Sequence, residues 1–208
     1  DGVALHALWL KAPSSRGVLL FWHGNVGSNR RCLRQADQMT GLGYDIFMPD
    51  YRGYGKSGGQ MEDQDQMYAD AQAVYDWLLT NYEADQIVIV GYSLGTGVAT
   101  YLAQENSPQR LVLVAPYRSM VAMKNLILPV APALLLKYKL RNDRQLPNSS
   151  CPVLIVHGTG DELIPPRHSE YLHRLIPERS ELFLLPNVSH RGVIFSGKLR
   201  QELARTLR

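Results

Sequence analysis

Short, almost wholly apolar runs alternate along this chain with longer stretches in which apolar residues recur every three or four positions. The runs at 18–22, 44–48, 87–90, 111–115, 153–156 and 182–185 have the length of strands. Their near-continuous apolar character suits strands covered on both faces of a parallel sheet, not half-solvated antiparallel ones. Between them, residues 31–41, 65–81, 94–104, 167–175 and 197–207 carry helical spacing. In the second of these, Met67, Ala71, Val74, Trp77 and Leu78 fall on one stripe and are expected to pack on the sheet. Strands alternating with helices predict a doubly wound α/β domain.

Residues 117–150 break the alternation. They hold an apolar stretch at 126–136, three prolines (Pro129, Pro132 and Pro147) and a polar end. The segment is too small for a domain and reads as a cap or lid inserted above the sheet. The 208 residues are therefore expected to form one domain, 1–208, with this insertion. The apolar stretch is too short and too Pro-interrupted to span a bilayer.

Composition adds exclusions. With 45% hydrophobic and 20% charged residues the chain is of ordinary globular type. Lys and Arg number 22 against 19 Asp and Glu, a net +3, too weak a bias for a nucleic-acid partner. The scattered basic residues, with short clusters at Arg30-Arg31 and in the last helix, read as a solvated face. Cys32 and Cys151 match no metal spacing and favour two thiols in a reducing compartment such as the cytoplasm. No secretory signal is visible; the chain opens at Asp1-Gly2 without a methionine, which leaves room for an upstream segment.

The chemistry concentrates at the ends of the predicted strands. Gly91-Tyr92-Ser93-Leu94-Gly95 follows the 87–90 strand and opens the next helix. A strand that turns sharply into a helix needs minimal flanking side chains, and the turn lifts a serine Oγ clear of the sheet. It also sets the Leu94 N–H where it can donate to a developing oxyanion. A second such donor is expected from the loop after the 18–22 strand, His23-Gly24-Asn25, with the Asn25 N–H as candidate and His23 as a buried structural histidine. In a parallel sheet the loops after 153–156 and 182–185 emerge on the same side as Ser93. The first contains Asp161, preferred to Glu162 because of the Gly-x-Gly turn around Gly158 and Gly160, and the second ends on His190. Serine, acid and histidine in this order predict a triad: Ser93 nucleophile, His190 base, Asp161 orienting acid.

Other signals lapse. His157 reads as structural, and His6 has no evident partner. His168 and His173 lie five apart on a surface helix, a poor ligand spacing, so no metal is expected. Gly55-Lys56-Ser57 lacks the first glycine of a phosphate loop, where Asp50 stands. Gly95-x-Gly97 lacks a third small residue, having Thr100, and no acidic residue follows at the right distance, so no cofactor is implied.

These residues resemble the α/β-hydrolase superfamily over nearly the whole chain. Within it they are similar to the small Bem46-like and ABHD13/ABHD17-like serine hydrolases, which border on prolyl-oligopeptidase-type peptidases. Four segments carry the likeness: His23-Gly24-Asn25 with Gly27 and Asn29; 50–57; Gly91-Tyr92-Ser93-Leu94-Gly95; and 157–161 with Ile164-Pro165. The resemblance implies a mostly parallel central sheet flanked by helices on both faces and a metal-independent ester or thioester hydrolase. It assigns Ser93, Asp161 and His190 the triad, Asn25 and Leu94 the oxyanion hole, and 50–57 a structural loop near the site. Members often carry an upstream membrane anchor, which this chain would lack. One departure is Gly160, where a more polar residue is common; it should loosen the turn before the acid.

The leading expectation is a carboxylic-ester (or thioester) hydrolase acting on a small-molecule acyl substrate through an acyl-enzyme. A serine peptidase or an acyl-protein thioesterase would use the same residues, and a non-catalytic binding scaffold is the alternative from another class. The natural substrate and the oligomeric state leave no mark on the sequence.

Overall fold

The computed structural model of the protein describes residues 1–25, 32–129, 132 and 136–207. Gly27 and Asn29, the Arg30-Arg31 pair with the start of the 31–41 helix, and 130–131 and 133–135 of the apolar stretch lie outside the described residues.

Seven strands form one sheet: β1 (Ala7–Leu10), β2 (Val18–Trp22), β3 (Asp45–Pro49), β4 (Ile87–Tyr92), β5 (Arg110–Val114), β6 (Val153–Gly158) and β7 (Ser180–Leu185). Their spatial order is β1-β3-β2-β4-β5-β6-β7. All neighbours are parallel except β1, which runs antiparallel to β3 at the edge. The helices are α1 (Gln64–Leu78), α2 (Gly95–Glu105), α3 (Met120–Ile127), α4 (Asn142–Gln145), α5 (Arg167–Leu175), α6 (His190–Ile194) and α7 (Gly197–Thr206). Among the described residues no helix is long and apolar enough to cross a membrane.

The apolar runs are continuous because consecutive side chains enter two different cores. In β2, Val18, Leu20 and Trp22 join α1, α2 and α5, while Leu19 and Phe21 join Ala36 and helices α6 and α7 on the opposite face. β4, β5 and β6 alternate in the same way. This is the doubly wound sheet with helices on both faces that the pattern predicts.

Several local expectations are corrected. The 31–41 segment is not a full helix: its regular part is a 3-10 turn over Leu33–Gln38. β1 escapes prediction because its four residues are each only half-buried and it is defined by pairing with β3. Trp77 packs on the sheet as expected, but at its outer border. It is 44% exposed, its ring 5.3 Å from Trp9 and 5.2 Å from Phe47 over the β1 edge. His6 does have a partner, its Nδ1 lying 2.8 Å from Oδ2 of the buried Asp50. α5 is not a surface helix throughout, since His168 is buried and Leu172 enters the core.

The buried His168 has a consequence for acid stability. Its Nδ1 accepts a hydrogen bond from the Arg118 amide at 3.0 Å, which requires an unprotonated nitrogen. Burial, followed by the charges of Arg167, His157 and Arg118 against that of Asp161, lowers its pKa from 6.5 to about 4. Between those values the unfolded chain binds more protons than the folded one, so stability falls as pH drops from 6.5 and levels near 4. Urea midpoints followed across that window should show a shallower fall for His168→Gln, whose amide oxygen still accepts from Arg118. An unchanged slope would remove His168 from the account.

Candidate active site

β4 ends at Tyr92, and the chain reverses into α2 through Ser93, whose φ of 53° lies in the left-handed region. That conformation costs a non-glycine residue about 1–2 kcal/mol, and the surroundings enforce it. The Ser93 amide donates to the Val114 carbonyl at 3.0 Å, and its own carbonyl accepts from Thr96 N and Oγ1 at 3.0 and 2.7 Å. The flanking glycines are required by close approach. A Cβ on Gly95 would sit 2.0 Å from the Trp22 carbonyl oxygen, and one on Gly91 2.7 Å from the Ala99 Cβ.

The histidine and the acid reach this serine from the next two loops. His190 opens α6, where Ser189 Oγ caps the helix by accepting from Gly192 N. Its Nε2 lies 3.0 Å from Ser93 Oγ and its Nδ1 2.7 Å from Asp161 Oδ2. A carboxylate only accepts, so Nδ1 carries the proton and Nε2 is left as the acceptor for the serine hydroxyl. The imidazole also stacks on Tyr92, 5.4 Å between centroids, and Tyr92 Oη donates to the His190 carbonyl at 3.2 Å.

Asp161 is held by four donors and its side chain is fully buried. Oδ1 accepts from the amides of Leu163 and Ile164 at 2.9 and 2.8 Å; Oδ2 faces both His190 and His157, the latter at 3.1 Å. His157 Nε2 is also 2.8 Å from the Ile164 carbonyl, so that nitrogen is protonated, and Nδ1 accepts from Ser169 Oγ at 2.6 Å. Burial pushes the Asp161 carboxyl up. The bonds from His157, His190 and Ile164 outweigh burial and hold it well below the usual carboxylate range. His157 is thus structural, as expected, but it acts directly on the acid. Glu162, the alternative acid, is exposed. Nor is the turn at Gly160 loose: Thr159, Gly160 and Asp161 amides donate to Leu185, Val188 and Gly158 carbonyls.

The 23–25 loop is fastened by tyrosines that the sequence reading did not single out. Tyr51 Oη donates to the His23 carbonyl at 2.8 Å and Tyr54 Oη to Asn25 Oδ1 at 2.7 Å. The signal available was their place in the 50–57 segment, read only as a structural loop. His23 is fully buried, its Nδ1 donating to the Gly24 carbonyl at 2.8 Å, and burial lowers its pKa toward a neutral ring.

A cavity of about 440 Å³ opens at Ser93, walled by Gly24, Asn25, Cys32, Leu163, His190 and Phe195 among others. Leu163 and Phe195 are 57% and 48% exposed at its rim. Burial, with a smaller push from Asp50, raises the Cys32 thiol to about 11, so it stays protonated and does not compete as a nucleophile. A second cleft of about 270 Å³ meets the first at Asn25 and runs between Leu94, Tyr54, Met61, Met120 and Tyr138. Met120 and Tyr138 come from the 117–150 segment, which therefore shapes this cleft.

Residues 13–145 match the family model described as serine aminopeptidase, S33. The protein Rv2307c of Mycobacterium tuberculosis, described as uncharacterized, is 32% identical over 197 residues, 91% of this chain and 69% of its own length. The lysophosphatidylserine lipase ABHD12 of Mus musculus is 30% identical over 189 residues, 80% of this chain, which spans only 47% of that protein. Among solved structures, the Pyrococcus furiosus esterase Pf2001 superposes with a TM-score of 0.79 at 20% identity, covering 99% of this chain and 87% of that one. A soluble variant of Saccharomyces cerevisiae monoglyceride lipase gives 0.74 at 17% identity, covering 100% and 92%. At such identities the structural likenesses speak for the fold alone. None of these matches singles out the Bem46-like or ABHD13/ABHD17-like branch.

Proposed function

For a chain that belongs to the serine aminopeptidase S33 family of α/β-hydrolases, we propose hydrolysis of carboxylic esters or thioesters through an acyl-enzyme on Ser93. The observation that carries this reading is the unbroken hydrogen-bonded chain Ser93–His190–Asp161, built on a serine held in a left-handed turn. Ser93 Oγ attacks the acyl carbonyl while His190 Nε2 takes its proton, and Asp161 stabilises the resulting imidazolium. The oxyanion is received by the amides of Leu94, at the first turn of α2 where the helix ladder does not use it, and Asn25. His190 then protonates the departing alkoxide or thiolate and activates the water that frees Ser93.

Two clefts meeting at the oxyanion position suit a substrate with two arms. The Met- and Tyr-lined cleft fits an apolar acyl group, and the larger cavity at Ser93 the leaving group. The name of the ABHD12 relative agrees with an ester substrate. Aminopeptidase action is less well served, because the wall of the Ser93 cavity includes Arg191 and no carboxylate among the described residues to receive a substrate ammonium.

Labelling with a fluorophosphonate, read by intact mass, tests the reading. One adduct is expected on the wild type and none on Ser93→Ala. A folded wild type that takes no adduct would bring forward the non-catalytic scaffold. A panel of activated esters, thioesters and amides of graded chain length then sets the acyl preference.

A further inference from the structure

A cavity of about 320 Å³ lies between α3 and α5, and it shares no lining residue with the cavity at Ser93. Arg118, Arg167 and Arg174 all border it. Arg167, Tyr171 and Arg174 follow one another at i, i+4 and i+7, on one stripe of α5. Arg118 stacks over the Tyr171 ring at 4.1 Å and is neutralised by Asp143 at 3.1 Å. Arg167 and Arg174 are exposed, and neither has a carboxylate within ion-pair distance among the described residues. His168 lines the same cavity while only 6% exposed. Its Nδ1 is occupied by the Arg118 amide, so the neutral ring carries its proton on Nε2, which makes no hydrogen bond among the described residues.

We propose that this cavity is a binding site for a phosphate-bearing anion, held by Arg167, Arg174 and Arg118, with the His168 Nε2–H as the neutral donor in its wall. Solvated arginines on a helix face are common, but these border a concave site together with a donor, from a histidine only 6% exposed, whose hydrogen goes unused. Guanidinium forks match phosphate oxygens in pairs. Two uncompensated positive charges favour a dianion over a single carboxylate. Ala122 and the half-exposed Leu126 on the α3 side leave room for an organic substituent. The site makes no use of Ser93, so its existence does not depend on the hydrolytic reading.

The test is calorimetric titration of the full chain at low salt in a phosphate-free buffer near neutral pH. The probes are inorganic phosphate, glycerol 3-phosphate, and phosphatidylcholine vesicles with and without phosphatidic acid. Saturable binding is expected, weakened about tenfold or more in R167Q/R174Q and unchanged in K56Q/K198Q, which removes two exposed lysines elsewhere. Binding of the soluble phosphates identifies a free anion as ligand; binding of phosphatidic acid vesicles alone identifies a lipid head group. The proposal is overturned if no probe saturates, or if the lysine variant loses as much affinity as the arginine variant. Both pairs are exposed, so loss of fold is not a competing explanation, and equal thermal midpoints verify it.

Discussion

Ser93→Ala is expected to lower kcat toward an activated ester by about 10⁴-fold or more while the protein unfolds at an unchanged temperature. Loss of a triad nucleophile has effects on this scale because the remaining groups can only bind the substrate and polarise its carbonyl. The fold should not respond. Alanine and serine bear the same left-handed backbone strain at φ 53°, and among the described residues the hydroxyl's bond is the one to His190. Ser93→Gly is a useful companion, equally inactive but relieved of that strain and more stable by about 1 kcal/mol. Thermal melts alongside initial rates separate the two effects. Turnover by Ser93→Ala at the wild-type rate would remove the acyl-enzyme from consideration.

Asp161→Asn should cost about 10⁴ in kcat as well, for a different reason. The carboxylate receives four donors, and the amide that replaces it brings two hydrogens of its own into that cluster. Whichever oxygen position the new NH₂ takes, it meets N–H groups. If it faces His190, the imidazole must turn its lone pair inward, and Nε2 then no longer accepts from Ser93. Stability changes too, with a defined sign. The Asp161 pKa is depressed on folding, so its stabilisation is complete above the ordinary carboxylate value of 3.8 and is lost as pH falls below it. The variant lacks that contribution near neutral pH and should melt lower there, with the difference closing in acid. Rates and melts on the same samples decide the matter. A variant keeping more than about a tenth of the activity would disqualify Asp161 as the orienting acid.

Much of this architecture is written locally, and the misreadings have physical causes. The strands buried on both faces announce themselves because each position must be apolar, and the turn at Gly91-Tyr92-Ser93-Leu94-Gly95 because two close approaches forbid a Cβ. Glycines also mislead about boundaries. Gly91 and Gly158 read as the ends of strands, yet both still pair, with Leu113 and Leu185, so β4 and β6 run two residues further than expected. What is absent from local pattern is what depends on distant partners. β1 is defined by its register on β3, His6 by Asp50 forty-four positions away, and the 23–25 loop by the hydroxyls of Tyr51 and Tyr54. His157 belongs to the same class: its residue type suggests a buried histidine, but only the folded loop shows that it shares Asp161 with His190.

The loops bearing Asp161 and His190 are sewn to each other, and Tyr92 at the end of β4 ties the second of them to the sheet through its bond to the His190 carbonyl. Thr159 and Gly160 donate to the carbonyls of Leu185 and Val188, and Asn187 N donates back to Thr159 Oγ1. They hang on β6 and β7, and β7 is the open border of the sheet, with Leu184 37% exposed. Ser93 belongs to the interior strands. An opening of this border would displace acid and base together from the nucleophile while the pairing of β2, β4 and β5 beneath Ser93 stays in place. Opening of that border alone would then end the proposed activity before the whole chain unfolds.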